Sequence, residues 1–148
     1  LIATSSALNR DAAAICRPFG PTACTDITGF GLAGHVLEMA RAGQKMIHLY
    51  ADKVPVIPQA FEYGTMGLFP AGAYTNKQYF SDVVTIESHV DEILADIMYD
   101  PQTSGGLVLA VAEEHANACL SAMKAQGLTA AIIGHVAGPH GCGHVLIR

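Results

Sequence analysis

The amino-acid sequence predicts an α/β domain with a mixed β-sheet covered by helices. Two observations carry this prediction. Segments with helical spacing of apolar residues alternate with short apolar strands, and the run "LVLAV" at 107–111 is apolar on both faces. Strands of that kind lie buried under helices on both sides of a sheet. The 148 residues, 51% of them hydrophobic, amount to one packed domain without internal repeats.

The first elements follow directly from local patterns. A helix is expected over 5–15, where apolar residues share one face and Ser5 is placed to cap it. Proline in "RPFGP" ends this helix, and the extended segment 22–27 leads into a glycine loop. Apolar residues then recur at helical spacing over 32–43, and a strand is expected at 45–51.

The middle of the chain is less regular. A short helix with proline near its start is expected over 54–64. The segment 65–80 has no clear period, so its glycines and aromatics predict a long ordered loop. A short strand at 83–86 precedes a helix over 90–98, where Ser88 and Asp91 resemble a capping arrangement.

The last third predicts the remaining strands. The run 107–111 is a strand, and a helix follows over 113–126 with a glycine stop. Two further strands, 130–136 and 144–148, are joined by "AGPHGCG", which favours a hairpin.

Composition narrows the function classes. The net charge is -5 and no run of Lys or Arg exists, which argues against a nucleic-acid partner. No apolar run approaches the roughly 20 residues of a membrane helix. Four cysteines without a CxxC pair indicate reduced thiols in a cytoplasmic protein. The low charged content, 14%, hints at an interface, and the missing initial methionine suggests a fragment of a longer chain.

The stretch "TDITGFG" at 25–31 combines hydroxyls, a carboxylate and glycines at the start of a helix. Gly29 and Gly31 let the backbone approach a ligand closely, and unpaired amides at the helix start favour an anion. Asp26 would repel phosphate unless a cation such as Mg²⁺ lies between them. The alternative is that Asp26 caps a turn and the glycines serve packing.

The stretch "DPQTSGG" at 100–106 precedes a strand, so it is neither a Walker loop nor a dinucleotide fingerprint. The amides of Gly105 and Gly106, with the hydroxyls of Thr103 and Ser104, could form an anion-binding nest. The alternative is an ordinary polar Asp-Pro turn.

Other chemistry-bearing residues carry weaker signals. The spacing in "HGCGH" at 140–144 matches no usual zinc site, so we interpret it as a local turn. His35 lies one turn into the helix after "TDITGFG". It either faces a ligand, faces solvent or supports the site from behind.

Taken together, the loops resemble one family. The strings that carry the resemblance are "ACTDITGFGLAGHVLEMA", "YDPQTSGGLVLAV" and "GLTAAIIGHV", with supporting matches at Leu8, Asn9 and Asn76. They resemble the C-terminal domain of selenophosphate synthetase (selenide, water dikinase), within the aminoimidazole ribonucleotide synthetase-like superfamily. The resemblance covers nearly the whole chain, and the segment 48–82 matches only at scattered positions.

The resemblance implies an activity and partners. In that family ATP, selenide and water give selenophosphate, AMP and orthophosphate, with Mg²⁺ required, in a homodimer of two-domain subunits. The nucleophilic Cys or selenocysteine and an essential Lys belong to an N-terminal domain. The span 1–148 would then be the C-terminal domain, with 1–20 as linker and first helix, and inactive by itself.

The resemblance also implies site residues. Asp26 matches an aspartate that completes the magnesium site with N-terminal carboxylates, and Thr28, Gly29 and Gly31 match the loop around it. The stretch 103–106 matches a loop expected near the phosphates of ATP or the domain interface. The alternatives are another superfamily member, of the aminoimidazole ribonucleotide synthetase or thiamine-phosphate kinase type, or a non-catalytic binding domain of the same fold.

Overall fold

The computed structural model describes residues 6–148. Besides two 3-10 helices, Arg17–Phe19 and Ala51–Lys53, these residues form six α-helices and six strands. In chain order they are α1 (Asn9–Cys16), β1 (Ala23–Asp26), α2 (Gly31–Gly43), β2 (Lys45–Leu49), α3 (Pro58–Thr65), α4 (Ala71–Phe80), β3 (Val84–Ile86), α5 (Glu92–Ile97), β4 (Leu107–Ala110), α6 (Glu113–Ala125), β5 (Gly134–Pro139) and β6 (His144–Ile147). The predicted first helix starts later than expected, after an extended Leu8, and the predicted cap at Ser5 lies outside the described residues.

The strands form two sheets. The larger has the order β3-β6-β2-β5, in which β6 pairs in parallel with β2 and β3, and β5 pairs antiparallel with β2. This mixed sheet with its helices confirms the predicted α/β class. The smaller is an antiparallel ribbon of β1 and β4. Because β4 lies in this ribbon, its four residues are half-buried, and the prediction of a strand covered on both sides is wrong.

The last two strands do not form a hairpin. β5 and β6 lie on opposite sides of β2, so the connection between them passes the end of α2, where His140 N donates to Gln44 O at 2.9 Å. Consecutive strands with a glycine-rich link usually pair with each other. Local sequence does not reveal that a third strand inserts between them.

The core lies between α2 and the larger sheet. Ala33, Val36, Leu37 and Ala40 form the buried face of α2, and they pack in one cluster with side chains of the sheet such as Val145. Burying a valine or leucine side chain contributes about 1.5–3 kcal/mol to the stability of the fold. This packing fixes the start of α2, and therefore fixes the loop that precedes it.

The predicted loop over 65–80 is largely the helix α4. Ala73, Asn76 and Phe80 are buried at helical spacing, while Tyr74 and Tyr79 on the other face are exposed. Exposed aromatics weaken the amphipathic pattern, so the helical period was missed. The helix α5 starts two residues later than expected. Of the two residues in the expected capping arrangement, Asp91 is the N-cap, and its side chain accepts hydrogen bonds from the amides of Ile93 and Leu94.

Candidate functional site

Two loops lie side by side at one end of the β1–β4 ribbon. We call residues 25–31 the first loop and residues 100–106 the second loop. Beyond the last ribbon pair, Ile27 N donates to Gly106 O at 3.0 Å and Gly105 N donates to Ile27 O at 3.1 Å. Gln102 N then donates to Thr28 O at 3.0 Å. The ribbon ladder therefore continues into the loops, which form one surface.

Asn76 joins this surface to α4. Its buried side-chain amide donates to Gly29 O at 2.9 Å and to Tyr99 O at 3.0 Å. One side chain thus binds the first loop and the residue directly before the second loop. Sequence reasoning noticed Asn76 but gave it no role, because the role depends on two carbonyls that are far apart along the chain.

The glycines of the two loops serve different purposes. Gly31 has φ +70°, and a Cβ there would lie 2.7 Å from the Tyr99 carbonyl carbon. Gly105 is packed against Ile27, whose Cβ would lie 2.7 Å from an added methyl group. Gly29 and Gly106 face open space with φ outside the left-handed region. Their bare backbone is therefore open to a ligand.

Several loop amides are already bonded within the chain. At the start of α2, Gly31 N donates to Thr28 O and Ala33 N to Met98 O. In the second loop the Gly105 amide donates to Ile27 O. Both the helix start and the expected nest therefore offer an anion fewer free donors than the sequence suggested.

Polar side chains line the open side of the loops. Asp26, Thr103 and Ser104 are exposed, and Thr28 is half-buried. Within residues 6–148 the Asp26 carboxylate accepts no hydrogen bond and has no ion-pair partner. No three His, Cys, Asp or Glu side chains of that range form a group that could hold a metal ion. Asp26 thus supplies one available carboxylate.

A hydrogen-bonded chain extends from Thr28 into α2. Thr28 Oγ1 lies 2.9 Å from His35 Nε2, and His35 Nδ1 lies 2.8 Å from Glu38 Oε2. His35 is buried, so it supports the first loop from behind and does not face solvent. The i,i+3 spacing of His35 and Glu38 on one helix was a readable signal that sequence reasoning left unused.

Two further residues border or belong to the second loop, and sequence reasoning gave neither of them a role there. Asp100 is half-buried, and burial raises the pKa of its carboxyl group, an effect that a hydrogen bond from Gln102 partly offsets. Asn9 on α1 donates to Gly105 O at 3.4 Å. α1 therefore braces the second loop.

The loop contacts described above do not include Cys16, Cys119 or the "HGCGH" turn, whereas Cys24 lies on β1, two residues before Asp26. Cys16 and Cys119 are buried between α1 and α6 with their Sγ atoms 3.5 Å apart, while Cys24 and Cys142 are exposed free thiols. Burial, with the Cys119 thiol nearby, raises the pKa of Cys16 to about 12. In the turn, His140 lies 3.8 Å from the Cys142 sulfur.

Comparison with known proteins agrees with the fold. The sequence profile of "AIR synthase related protein, C-terminal domain" matches residues 6–146. The chain belongs to this family. Among solved structures, hydrogenase maturation protein HypE covers 97% of the chain with a TM-score of 0.60 at 21% identity, over 39% of its own length. Thiamine-monophosphate kinase from Stenotrophomonas maltophilia K279a covers 89% with a TM-score of 0.52 at 17% identity, over 32% of its length.

Curated relatives are more similar in sequence. A protein named selenide, water dikinase from Pelobacter propionicus is 43% identical over 92% of this chain and 39% of its own length. Its namesakes from Clostridioides difficile and Caldanaerobacter subterraneus are 45% and 49% identical, over 87% and 74% of the chain and 37% and 31% of their own lengths. The chain thus spans well under half of these relatives, and the resemblance drawn from its motifs is confirmed.

No helix among residues 6–148 is long and apolar enough to cross a membrane.

Proposed function

We propose that this chain is the C-terminal domain of a selenide, water dikinase, which converts ATP, selenide and water to selenophosphate, AMP and orthophosphate. The observation that carries the proposal is the 43–49% identity to proteins of that name over most of the chain. The joined loops with their open glycine backbone support it, since phosphate groups need such close approach.

The proposed site uses both loops. Asp26 holds Mg²⁺ from one side, and the metal-binding role fits its exposed carboxylate, which has no partner among the described residues. The remaining ligands come from phosphate oxygens and from carboxylates outside this chain. When bound, the metal neutralises charge on the transferred phosphoryl groups. The first-loop residues Thr28, Gly29 and Gly31, and the second-loop residues Thr103, Ser104, Gly105 and Gly106, surround the ATP phosphates.

An N-terminal domain is proposed to cover part of this chain. The relatives are more than twice as long as the stretch they share with it. Exposed apolar side chains concentrate on α3, α4 and their connection, including Met66 (62% exposed), Leu68 (63%) and Tyr79 (74%). Surfaces of this kind mark interaction sites. We place the nucleophile and the essential lysine in that domain, and the whole protein in the cytoplasm as a homodimer; by itself this chain is expected to be inactive.

Phosphorus NMR on the full-length parent protein tests the proposal. Incubated anaerobically with ATP, Mg²⁺ and selenide, it should produce AMP and a selenium-coupled phosphorus signal. Asp26→Asn should lower turnover more than about a hundredfold, since a metal ligand acts on the transition state. Asp82→Asn, an exposed aspartate before β3, is the matched control and should leave turnover unchanged.

Other outcomes would favour the alternatives. ATP consumed without the selenium-coupled signal would indicate a different acceptor, as in enzymes of the thiamine-phosphate kinase or aminoimidazole ribonucleotide synthetase type. No turnover by folded full-length protein would favour a non-catalytic binding domain. Full activity of Asp26→Asn would contradict the magnesium role while leaving the reaction in place.

A further inference from the structure

A chain of polar contacts runs from Glu38 through His35 to Thr28. We propose that Glu38 and His35 are positioning residues, which make the Thr28 hydroxyl a hydrogen-bond acceptor toward the metal side of the site. This inference rests on the proposed function and deepens it. It assigns positioning roles to His35 and Glu38, which lie outside both loops, and it specifies that the Thr28 hydroxyl donates its hydrogen to His35.

The geometry leaves little freedom at the centre of this chain. The His35 side chain is 10% exposed, and both its ring nitrogens are engaged, at 2.8 Å to Glu38 and 2.9 Å to Thr28. The Phe30 ring, with its centroid 5.6 Å away, borders it on the loop side. A ring held at both nitrogens cannot rotate without losing two hydrogen bonds in a buried environment.

For a neutral His35 ring, the chemistry of the three groups sets the direction of the hydrogen bonds. An ionised carboxylate only accepts, so Nδ1 of His35 carries a hydrogen and donates it to Glu38. In the neutral ring Nε2 then has a lone pair, which accepts the Thr28 hydroxyl hydrogen. Carboxylate–histidine pairs fix a tautomer in the same way in metal sites.

The consequence concerns what Thr28 can bind. Because its single hydrogen points at His35, the accessible lone pairs of its oxygen can contact a cation or a cation-bound water, and the group cannot donate to a phosphate oxygen. Asp26, two residues earlier on the same loop, prefers the same kind of partner. Thr28 therefore joins Asp26 on the metal side of the phosphates, and the hydrogen bonds to phosphate oxygens come from the open backbone and the second-loop hydroxyls.

Binding measurements on the full-length protein test this assignment. Thr28→Val removes the hydroxyl group and keeps the side-chain shape, and it should weaken Mn²⁺–ATP binding about tenfold, well beyond its effect on ATP binding without metal. Thr28→Ser should restore the affinity. Glu38→Ala should weaken Mn²⁺–ATP binding severalfold, since the half-exposed Glu38 leaves the core intact. Glu114→Ala, at an exposed position of α6, is the control.

Nitrogen NMR of ¹⁵N-histidine-labelled protein gives a second readout. His35 should be a neutral ring protonated at Nδ1, and Glu38→Ala should mix its tautomers. A ring protonated at Nε2, or equal weakening of metal-free ATP binding by Thr28→Val, would overturn the inference, because the hydroxyl would then be a donor. If Thr28→Val leaves Mn²⁺–ATP binding unchanged, this inference is overturned but the proposed function is not. Absence of ATP binding by wild-type protein would overturn the proposed function as well.

Discussion

Replacing Asn76 gives the sharpest test of how the candidate site is held together. In Asn76→Ala the Gly29 carbonyl, on an exposed residue, can bind water instead, so that bond costs about 0.5–1.5 kcal/mol. Tyr99 is 1% exposed, so its carbonyl stays unsatisfied at about 1–3 kcal/mol. The free energy of unfolding should therefore fall by roughly 1.5–4.5 kcal/mol, measured by urea denaturation followed by circular dichroism.

An isosteric variant separates hydrogen bonding from packing. Asn76→Asp keeps the shape but places a buried carboxylate against two carbonyl oxygens, so at neutral pH it should destabilise more than Asn76→Ala. Burial raises the pKa of such a carboxyl group, so the penalty should shrink as pH falls and the protonated acid regains one donor. Gln78→Ala, an exposed amide on α4, is the control and should change little. Losses below about 0.5 kcal/mol in both Asn76 variants would refute the reasoning.

Three further predictions concern neighbouring features. Gly105→Ala should destabilise by about 1–3 kcal/mol because its Cβ meets Ile27, whereas Gly106→Ala should leave stability unchanged and weaken nucleotide binding; equal stability of the two variants would contradict the packing argument. In native protein an alkylating reagent should label exposed Cys142 before Cys16 by mass spectrometry. Labelling of Cys16 should lag behind at every pH at which the protein stays folded, because burial hides the thiol and raises its pKa, and rapid labelling at neutral pH would disprove its burial. Asp91→Ala should lower the free energy of unfolding by about 1 kcal/mol, with Asp91→Asn retaining most of it; equal losses would exclude a capping role.

Local patterns in the sequence determined much of the fold. Helical spacing and caps predicted α2, α5 and α6 to within a few residues, and glycines with hydroxyls marked both loops as candidates. These features depend on near neighbours along the chain, so a single sequence records them. The assignment of ligands to the loops rests on the family resemblance and stays a prediction.

Tertiary structure alone decided which distant segments meet. The two loops adjoin because β1 pairs with β4 some eighty residues later, and β2 inserts between β5 and β6 for a similar reason. The roles of Asn76 and His35 likewise depend on partners brought together by packing. Such pairings depend on side-chain packing and on the burial of polar groups across the whole domain. Neither property can be predicted from a short segment of the sequence.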